Sequence, residues 1–202
     1  GHQILDLEAE LGDSTEPHKE TLDMLIEEAR AIIQVKDTYT KEEALDILRT
    51  IDGILRESFS IKVDLSAKLL SQGLKEKVID CDNSSFIYLS IAEALNLPLA
   101  AVLAPNHVFV RRILDGNSFN WETTNARELN DDYYRNGRWL KISDESIRNG
   151  VYLRDLTMQE TMAIAYSNRG IAWFEKGNLE KAIADYDEAI RLNPNYSEVY
   201  YN

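Results

Sequence analysis

The sequence predicts an α+β fold in which a buried helix packs against a small antiparallel sheet, with helices before this core and a helix pair after it. Three observations indicate this arrangement. Residues 86–97 are almost entirely apolar, residues 99–124 contain three β-prone runs, and residues 156–202 repeat small and aromatic side chains at helical spacing. We therefore divide the chain into a mixed domain over residues 1–155 and a helical segment over residues 156–202.

The helices expected within residues 17–75 show the periodicity of one-sided burial. Thr40 and Glu43 form a capping-box pair, which predicts a helix start at that point. A third, shorter helix is expected near residues 65–74. The predicted inward stripes of the first two helices are Leu22, Leu25, Ala29 and Ile32, then Ala44, Leu48, Ile51 and Leu55. We expect these helices to cover the core.

The core itself is predicted over residues 76–125. A helix that is apolar nearly all round, as residues 86–97 are, is buried on most sides, and Pro98 ends it. The runs "LAAVLA", "HVFVRRIL" and "SFNWETT" follow as predicted strands. Asp115-Gly116 lies between the last two, and this dipeptide is typical of a two-residue hairpin turn. Residues 126–155 are mixed in character, and we expect either a connector or a flap over a site.

The predicted turn fixes a register for the hairpin. With Asp115 and Gly116 at its tip, Val110 pairs with Trp121. Side chains alternate along a strand, so His107 and Glu122 then lie on one face as diagonal neighbours. A register slip of one residue would place them on opposite faces.

Composition excludes several classes of function. The chain has 202 residues, 44% of them hydrophobic, and a formal net charge of −13. Such an acidic surface repels phosphate backbones and anionic lipid, so we expect neither nucleic-acid nor membrane partners. The longest apolar run is too short to span a bilayer, which favours a soluble protein, in the cytoplasm rather than exported. The three histidines are far apart and no phosphate-binding glycine motif is present, so we expect no metal and no cofactor.

Cys81 is the only cysteine, and it stands where a polar turn runs into the apolar helix. Unpaired backbone N–H groups at a helix N-terminus stabilise a thiolate and can also bind an oxyanion. The alternative is an inert buried cysteine, since free cysteine is among the most buried residue types. If Cys81 is a nucleophile, we expect its alkylation to be rapid below pH 7 and to depend on His107.

The C-terminal segment resembles a tetratricopeptide repeat, a pair of helices 34 residues long. The spacing of aromatic and small residues carries this resemblance: Tyr166, Gly170, Trp173, Gly177, Ala182, Tyr186, Ala189 and Pro194. Arg169 stands where the family often has leucine. The motif "AYSN" at 165–168 recurs as "VYYN" at 199–202, so a second repeat begins and we expect the natural chain to continue.

The mixed domain resembles the transglutaminase-like superfamily, and most closely its bacterial SirB1-like branch, in which tetratricopeptide-like helices follow such a domain. The resemblance rests on "DCDNSSFIYLSIAEALNLPLAAVLAPNHVFVRR…NWETT" and on the order of the two modules. It implies a papain/transglutaminase-like core and thiol acyl transfer on protein or peptide amides, as a peptidase, deamidase or crosslinking enzyme. By this resemblance Cys81 is the nucleophile, His107 the general base and acid, and Glu122, where the superfamily usually has aspartate, the orienting carboxylate.

A second reading belongs to a different functional class. The domain could be a degenerate, non-catalytic relative that caps a peptide-binding repeat. In this family the peptide groove lies on the inner helix of the repeat, here at Ile164, Ser167, Ile171 and Phe174. Both readings predict a protein or peptide as the partner.

Overall fold

The computed structural model describes residues 1–64, 66–114, 117–137 and 140–202. No helix within these ranges is both long and apolar enough to cross a lipid bilayer. The α-helices in chain order are α1 (His2–Glu8), α2 (Glu16–Ile32), α3 (Lys41–Gly53), α4 (Leu70–Glu76), α5 (Cys81–Ala94), α6 (Asp131–Arg135), α7 (Asp144–Arg148), α8 (Met158–Glu175) and α9 (Leu179–Leu192). The fold is therefore mixed, with a helical hairpin at the C-terminal end.

The strands form two sheets. The short strands β1 (Lys62–Val63) and β2 (Val78–Ile79) pair in parallel. The larger sheet is an antiparallel meander in the order β3 (Leu99–Ala104), β4 (His107–Leu114), β5 (Asn117–Glu122) and β6 (Arg127–Leu129). Val110 pairs with Trp121, which confirms the predicted hairpin register. The predicted turn residues Asp115 and Gly116 lie outside the described residues.

The buried helix α5 begins earlier than the apolar run suggests, with Cys81 as its first residue. Asp80 is its N-cap, and its carboxylate accepts a hydrogen bond from the Asn83 backbone N–H at 2.9 Å. The helix packs against β4 and β3, and Trp121 Nε1 donates to the Tyr88 hydroxyl at 3.2 Å. A buried helix against a small antiparallel sheet is thus present in the fold.

The two faces of the sheet are covered by different parts of the chain. Ala101, Val108 and Val110 face α5 and belong to the main core together with the N-terminal helices. Alternate residues, among them Phe109, face the opposite way and form a second cluster with Tyr134 and other residues of the segment after β6. Both faces are buried, so the segment over residues 126–155 covers one face of the sheet.

The N-terminal helices match most of the predicted pattern. Thr40 and Glu43 form the predicted capping box at the start of α3. The prediction that Ile32 faces the core is wrong, because its side chain is 54% exposed at the last turn of α2 and Ile33 is buried in its place. The third helix is displaced toward the C-terminus and covers only Leu70–Glu76.

The helices α8 and α9 pack closely against each other. Thr157 and Glu160 form a capping box at the start of α8, and Asn178 caps α9. A Cβ atom on Gly170 would lie 2.5 Å from Tyr186 Cε1, so glycine is required where the helices approach. The segment leading into α8 lies along the edge of β3, where Leu153 N–H donates to Leu103 and Leu156 N–H donates to Ala101.

Candidate functional site

Cys81 is positioned by the strand before it and the helix that it begins. The parallel pairing of β2 with β1 fixes the chain up to Ile79, and Asp80 then caps α5. The capping carboxylate belongs to Asp80, the residue before the cysteine. The cysteine is half-buried and free of any disulfide.

The thiol of Cys81 forms a hydrogen bond with a neighbouring carboxylate. Its Sγ donates to Asp82 Oδ1 at 3.4 Å. Burial raises the pKa of the Cys81 thiol, and the negative charges of Asp82 and Asp80 raise it further. A helix N-terminus favours an ionised thiol, but burial and the two carboxylates act in the opposite direction at Cys81.

The two acids are themselves perturbed. Burial, followed by the neighbouring charge of Asp82, raises the pKa of Asp80 to about 7. Burial also raises the pKa of Asp82, while hydrogen bonds from Asn168 and Cys81 act in the opposite direction. The N-terminus of α5 therefore carries carboxylates that hold protons more tightly than ordinary aspartates.

His107 and Glu122 are in direct contact. A two-residue turn of Pro105 and Asn106 brings the chain from β3 into β4, and His107 is the first residue of β4. His107 Nε2 lies 2.6 Å from Glu122 Oε2. The two side chains are close because the hairpin register places them on the same face of the sheet. A carboxylate that binds one ring nitrogen fixes the orientation of the imidazole.

Glu122 is 3% exposed and is held on both oxygens. Its Oε1 accepts hydrogen bonds from the Thr124 hydroxyl and backbone N–H, and its Oε2 accepts one from the Tyr134 hydroxyl at 3.1 Å. Burial alone would raise the pKa of Glu122, but the hydrogen bond and charge of His107 outweigh it, with help from Thr124, and lower the pKa. Glu122 is thus a buried, ionised carboxylate.

Sequence reasoning missed Tyr134. Its ring stacks on Phe109 at a centroid distance of 3.8 Å and is also parallel to the ring of His107 at 6.0 Å. It comes from α6, in the segment whose role was left open between connector and flap. Residues 126–155 show neither a helical nor a strand-like spacing of apolar residues, so the sequence gives no indication that Tyr134 lies near His107 and Glu122. The three-dimensional structure is needed to see this contact.

Cys81 and His107 line one cavity of about 370 Å³. The hydrogen bond of the thiol goes to Asp82 rather than to His107. The opposite wall comes from the C-terminal helices, through Ser167, Asn168 and Ile171 of α8 and Tyr196 and Glu198 beyond α9. A larger cavity of about 760 Å³, beside the far end of the β4–β5 hairpin, contains neither Cys81 nor His107. The candidate site therefore lies between the mixed domain and the helical hairpin.

The four residues predicted for peptide binding do not form one open stripe. Ile164 is fully buried in the main core and is a packing residue rather than a ligand contact. Ser167 and Ile171 line the shared cavity, while Phe174 is 56% exposed beyond it. Because α8 packs against the preceding part of the chain, these four residues lie in three different environments: the core, the cavity and the exposed surface.

Arg169 departs from the leucine that is common in the repeat, and the structure explains why. Its guanidinium pairs with Asp185 through Nε at 2.8 Å and Nη2 at 2.6 Å, and its Nη1 donates to the Leu7 carbonyl at 2.8 Å. Arg169 therefore joins α8, α9 and α1.

The C-terminal hairpin was compared with known protein families. The family model described as the tetratricopeptide repeat matches residues 163–196. This range covers most of α8, all of α9 and the turn that follows. Such repeats commonly serve protein–protein interaction. Residues 163–196 thus match the tetratricopeptide repeat, and in this chain the first helix of the pair, α8, packs against α1.

Proposed function

We propose that this chain is a transglutaminase-like protein that carries out thiol acyl transfer on protein or peptide amides. In this proposal Cys81 is the nucleophile, His107 the general base and acid, and Glu122 the carboxylate that orients the imidazole. The repeat serves protein–protein interaction and forms one wall of the site. The substrate class, a protein or peptide amide, is the one that the resemblance to the transglutaminase-like superfamily implies.

The chemical steps follow from these roles. His107 takes the proton of the Cys81 thiol, and the sulfur attacks the amide carbonyl. The carbon–nitrogen bond breaks, the leaving nitrogen takes the proton back from His107, and a thioester on Cys81 remains. Water then releases a carboxylic acid, or an amine forms a new amide. The Cys81 backbone N–H, at the first position of α5, is the first oxyanion donor.

One observation carries the proposal. The 2.6 Å contact between His107 Nε2 and Glu122 Oε2 orients an imidazole at the edge of the cavity that also contains Cys81. Burying the charged carboxylate of Glu122 has a desolvation cost. A histidine that only occupied the end of a strand would not require this buried carboxylate, which Thr124 and Tyr134 also bind. This arrangement is typical of a base poised for proton transfer.

The test uses a reactive acyl donor, since the natural substrate is unidentified. Wild type, Cys81→Ser, His107→Ala and Glu122→Gln are incubated with p-nitrophenyl acetate, and acetylation of Cys81 is followed by mass spectrometry. We expect no acetylation in Cys81→Ser, and a rate reduced about 100-fold or more in His107→Ala, as for loss of a general base. Equal rates of Cys81 acetylation in wild type and His107→Ala would refute the proposal.

A second candidate function is a non-catalytic interaction scaffold. It is favoured by the contact of the thiol with Asp82 and by the raised pKa of Cys81, both of which oppose thiolate formation. In a scaffold, Cys81→Ser and His107→Ala would bind partner proteins as wild type does, and acylation of Cys81 would not depend on His107. The acetylation experiment therefore separates the two candidates.

A further inference from the structure

The cavity wall formed by the repeat contacts the thiol environment directly. Asn168, in the middle of α8, donates from Nδ2 to Asp82 Oδ2 at 2.9 Å. The other oxygen of Asp82 accepts the hydrogen bond of the Cys81 thiol. Two hydrogen bonds thus connect Asn168 through Asp82 to the sulfur of Cys81. Asn168 and Asp82 are 86 positions apart in the sequence.

We infer that Asn168 is a positioning residue that holds Asp82 against the thiol, so that the tetratricopeptide repeat restrains the nucleophile of the mixed domain. The inference rests on the proposed function only in treating Cys81 as the nucleophile. It gives the repeat a second role beside partner binding. A movement of α8 that breaks the contact between Asn168 and Asp82 releases the thiol.

The direction of the effect follows from charge. A hydrogen-bond donor stabilises the ionised form of a carboxylate, so Asn168 favours charged Asp82. Charged Asp82 beside the sulfur disfavours the thiolate. Removing Asn168 frees the Asp82 carboxylate to turn away from the sulfur, and this weakens its opposition to thiolate formation. Loss of the asparagine should therefore increase thiol reactivity, whereas loss of a purely structural contact would not alter the titration of the thiol.

The other groups around the thiol do not replace this contact. The titratable groups facing Cys81 and Asp82 are Asp80 on the same turn, His107 on β4, and Tyr196 and Glu198 from the segment after α9. Glu198 is engaged by the Asn106 backbone N–H and the Tyr152 hydroxyl. None of these four residues lies on α8. In the part of the chain that the structure describes, the hydrogen bond from α8 to Asp82 comes from Asn168.

The experiment measures the rate of Cys81 alkylation by iodoacetamide from pH 6 to pH 10. The variants are Asn168→Ala, the smaller change Asn168→Ser, Asp82→Asn, and Asn168→Ala combined with Asp82→Asn. Gln159→Ala is the control, because this amide is exposed near the start of the same helix. Circular dichroism and thermal melting verify that each variant is folded. Because the pKa of the thiol is raised, the profiles stay below their limiting rates in this range, and the variants are compared by the rate at each pH.

We expect Asp82→Asn to move the titration of the thiol to lower pH, and Asn168→Ala and Asn168→Ser to move it in the same direction by less. A shift of one pH unit raises the rate at pH 8 only about threefold, because intrinsic nucleophilicity falls with the pKa of the thiol. In the Asp82→Asn background, Asn168→Ala should cause no further shift. Gln159→Ala should match wild type.

Two results would overturn the inference. One is a titration of both Asn168 variants that superimposes on wild type. The other is a rate that rises by the same factor with and without Asp82, which would mean that Asn168 only shields the sulfur. The measurement needs no substrate, and all of its variants retain His107. If acetylation of Cys81 proves independent of His107 while the Asn168 shift is present, the proposed function fails and the restraint stands.

Discussion

The Tyr134 hydroxyl donates a hydrogen bond to Glu122 Oε2, the same oxygen that contacts His107. The tyrosine lies in α6, beyond the sheet, and its ring stacks on Phe109 at 3.8 Å with an interplanar angle of 7°. Tyr134 therefore connects the packing of the outer sheet face to the orientation of the proposed base.

Tyr134→Phe separates these two roles. The ring and its stacking on Phe109 remain, and only the hydrogen bond to a charged acceptor is lost, so we expect the free energy of unfolding to fall by about 1–2 kcal/mol. Tyr134→Ala removes the ring as well and should cost about 3–5 kcal/mol. Urea unfolding of both variants measures the difference. Equal losses in the two variants would show that the ring contributes nothing beyond the hydroxyl.

Arg169 and Asp185 form a buried ion pair, with side chains 8% and 5% exposed. Replacing Arg169 by methionine leaves the carboxylate of Asp185 buried without its main partner, and we expect a loss of about 3 kcal/mol or more. The double variant Arg169→Met with Asp185→Leu should recover most of this loss, because neither charge is then buried alone. Thermal and urea unfolding measure both variants.

The matched control for this pair is Arg191, whose ion pair with Glu188 lies on the surface of α9. Arg191→Ala should leave the unfolding midpoint unchanged, since exposed pairs contribute little. A loss in Arg191→Ala as large as that in Arg169→Met would contradict the assignment of the effect to burial.

Gly170→Ala tests the close approach of α8 and α9. The added Cβ would lie 2.5 Å from the ring of Tyr186, so the helices must separate, and we expect a loss of about 1–3 kcal/mol. Gly53→Ala is the control, because its Cβ would meet no atom within 4 Å in a helical conformation. That change should stabilise the protein by about 0.5–1 kcal/mol. Stabilisation by both changes would mean that the helices do not pack as closely as described.

Asp80→Asn tests the effect of a buried acid on stability at different pH values. The pKa of Asp80 is about 7 in the folded protein, whereas an unfolded aspartate titrates near pH 4. Between these values the folded state holds a proton that the unfolded state has lost, so this group makes the protein less stable as pH rises from about 4 to 7.

Asparagine keeps the N-cap of α5 and cannot ionise. We therefore expect Asp80→Asn to match wild type near pH 4 and to be more stable at pH 8, by about 1–2 kcal/mol. Urea unfolding at pH 4, 6 and 8 provides the measurement. A difference that is the same at all three pH values would show that the substitution acts through packing rather than ionisation.

The features that the sequence predicted well are those with a local signal. The capping box at Thr40 depends on a residue three positions further on, and it is present. The hairpin register follows from alternation and turn chemistry, and with it the contact between His107 and Glu122. The spacing of the repeat predicts a helix pair, and α9 is present as Leu179–Leu192, with Asn178 as its N-cap and Pro194 shortly after its end.

The features that the sequence did not predict depend on contacts between distant residues. Asp82 meets Asn168, and Arg169 meets Asp185 across the repeat, but neither pair follows a periodic pattern. The environment of Cys81 has the same origin: the helix terminus is visible in the sequence, while the burial of the thiol and of the acids beside it is not. Ile164 was expected to be accessible because isolated repeats expose this face, but here the mixed domain covers it.

The hydrogen bonds from Leu153 and Leu156 to β3 have a mechanical consequence. They hold the chain against the edge strand β3, and the second of them lies only two residues before α8 begins at Met158. The connection between the sheet and the repeat is therefore short. A load applied to the repeat by a bound protein would be transmitted as shear to β3 and the neighbouring strand that carries His107. The same hydrogen bonds occupy the carbonyl groups of Ala101 and Leu103, which are then unavailable to a strand from another molecule.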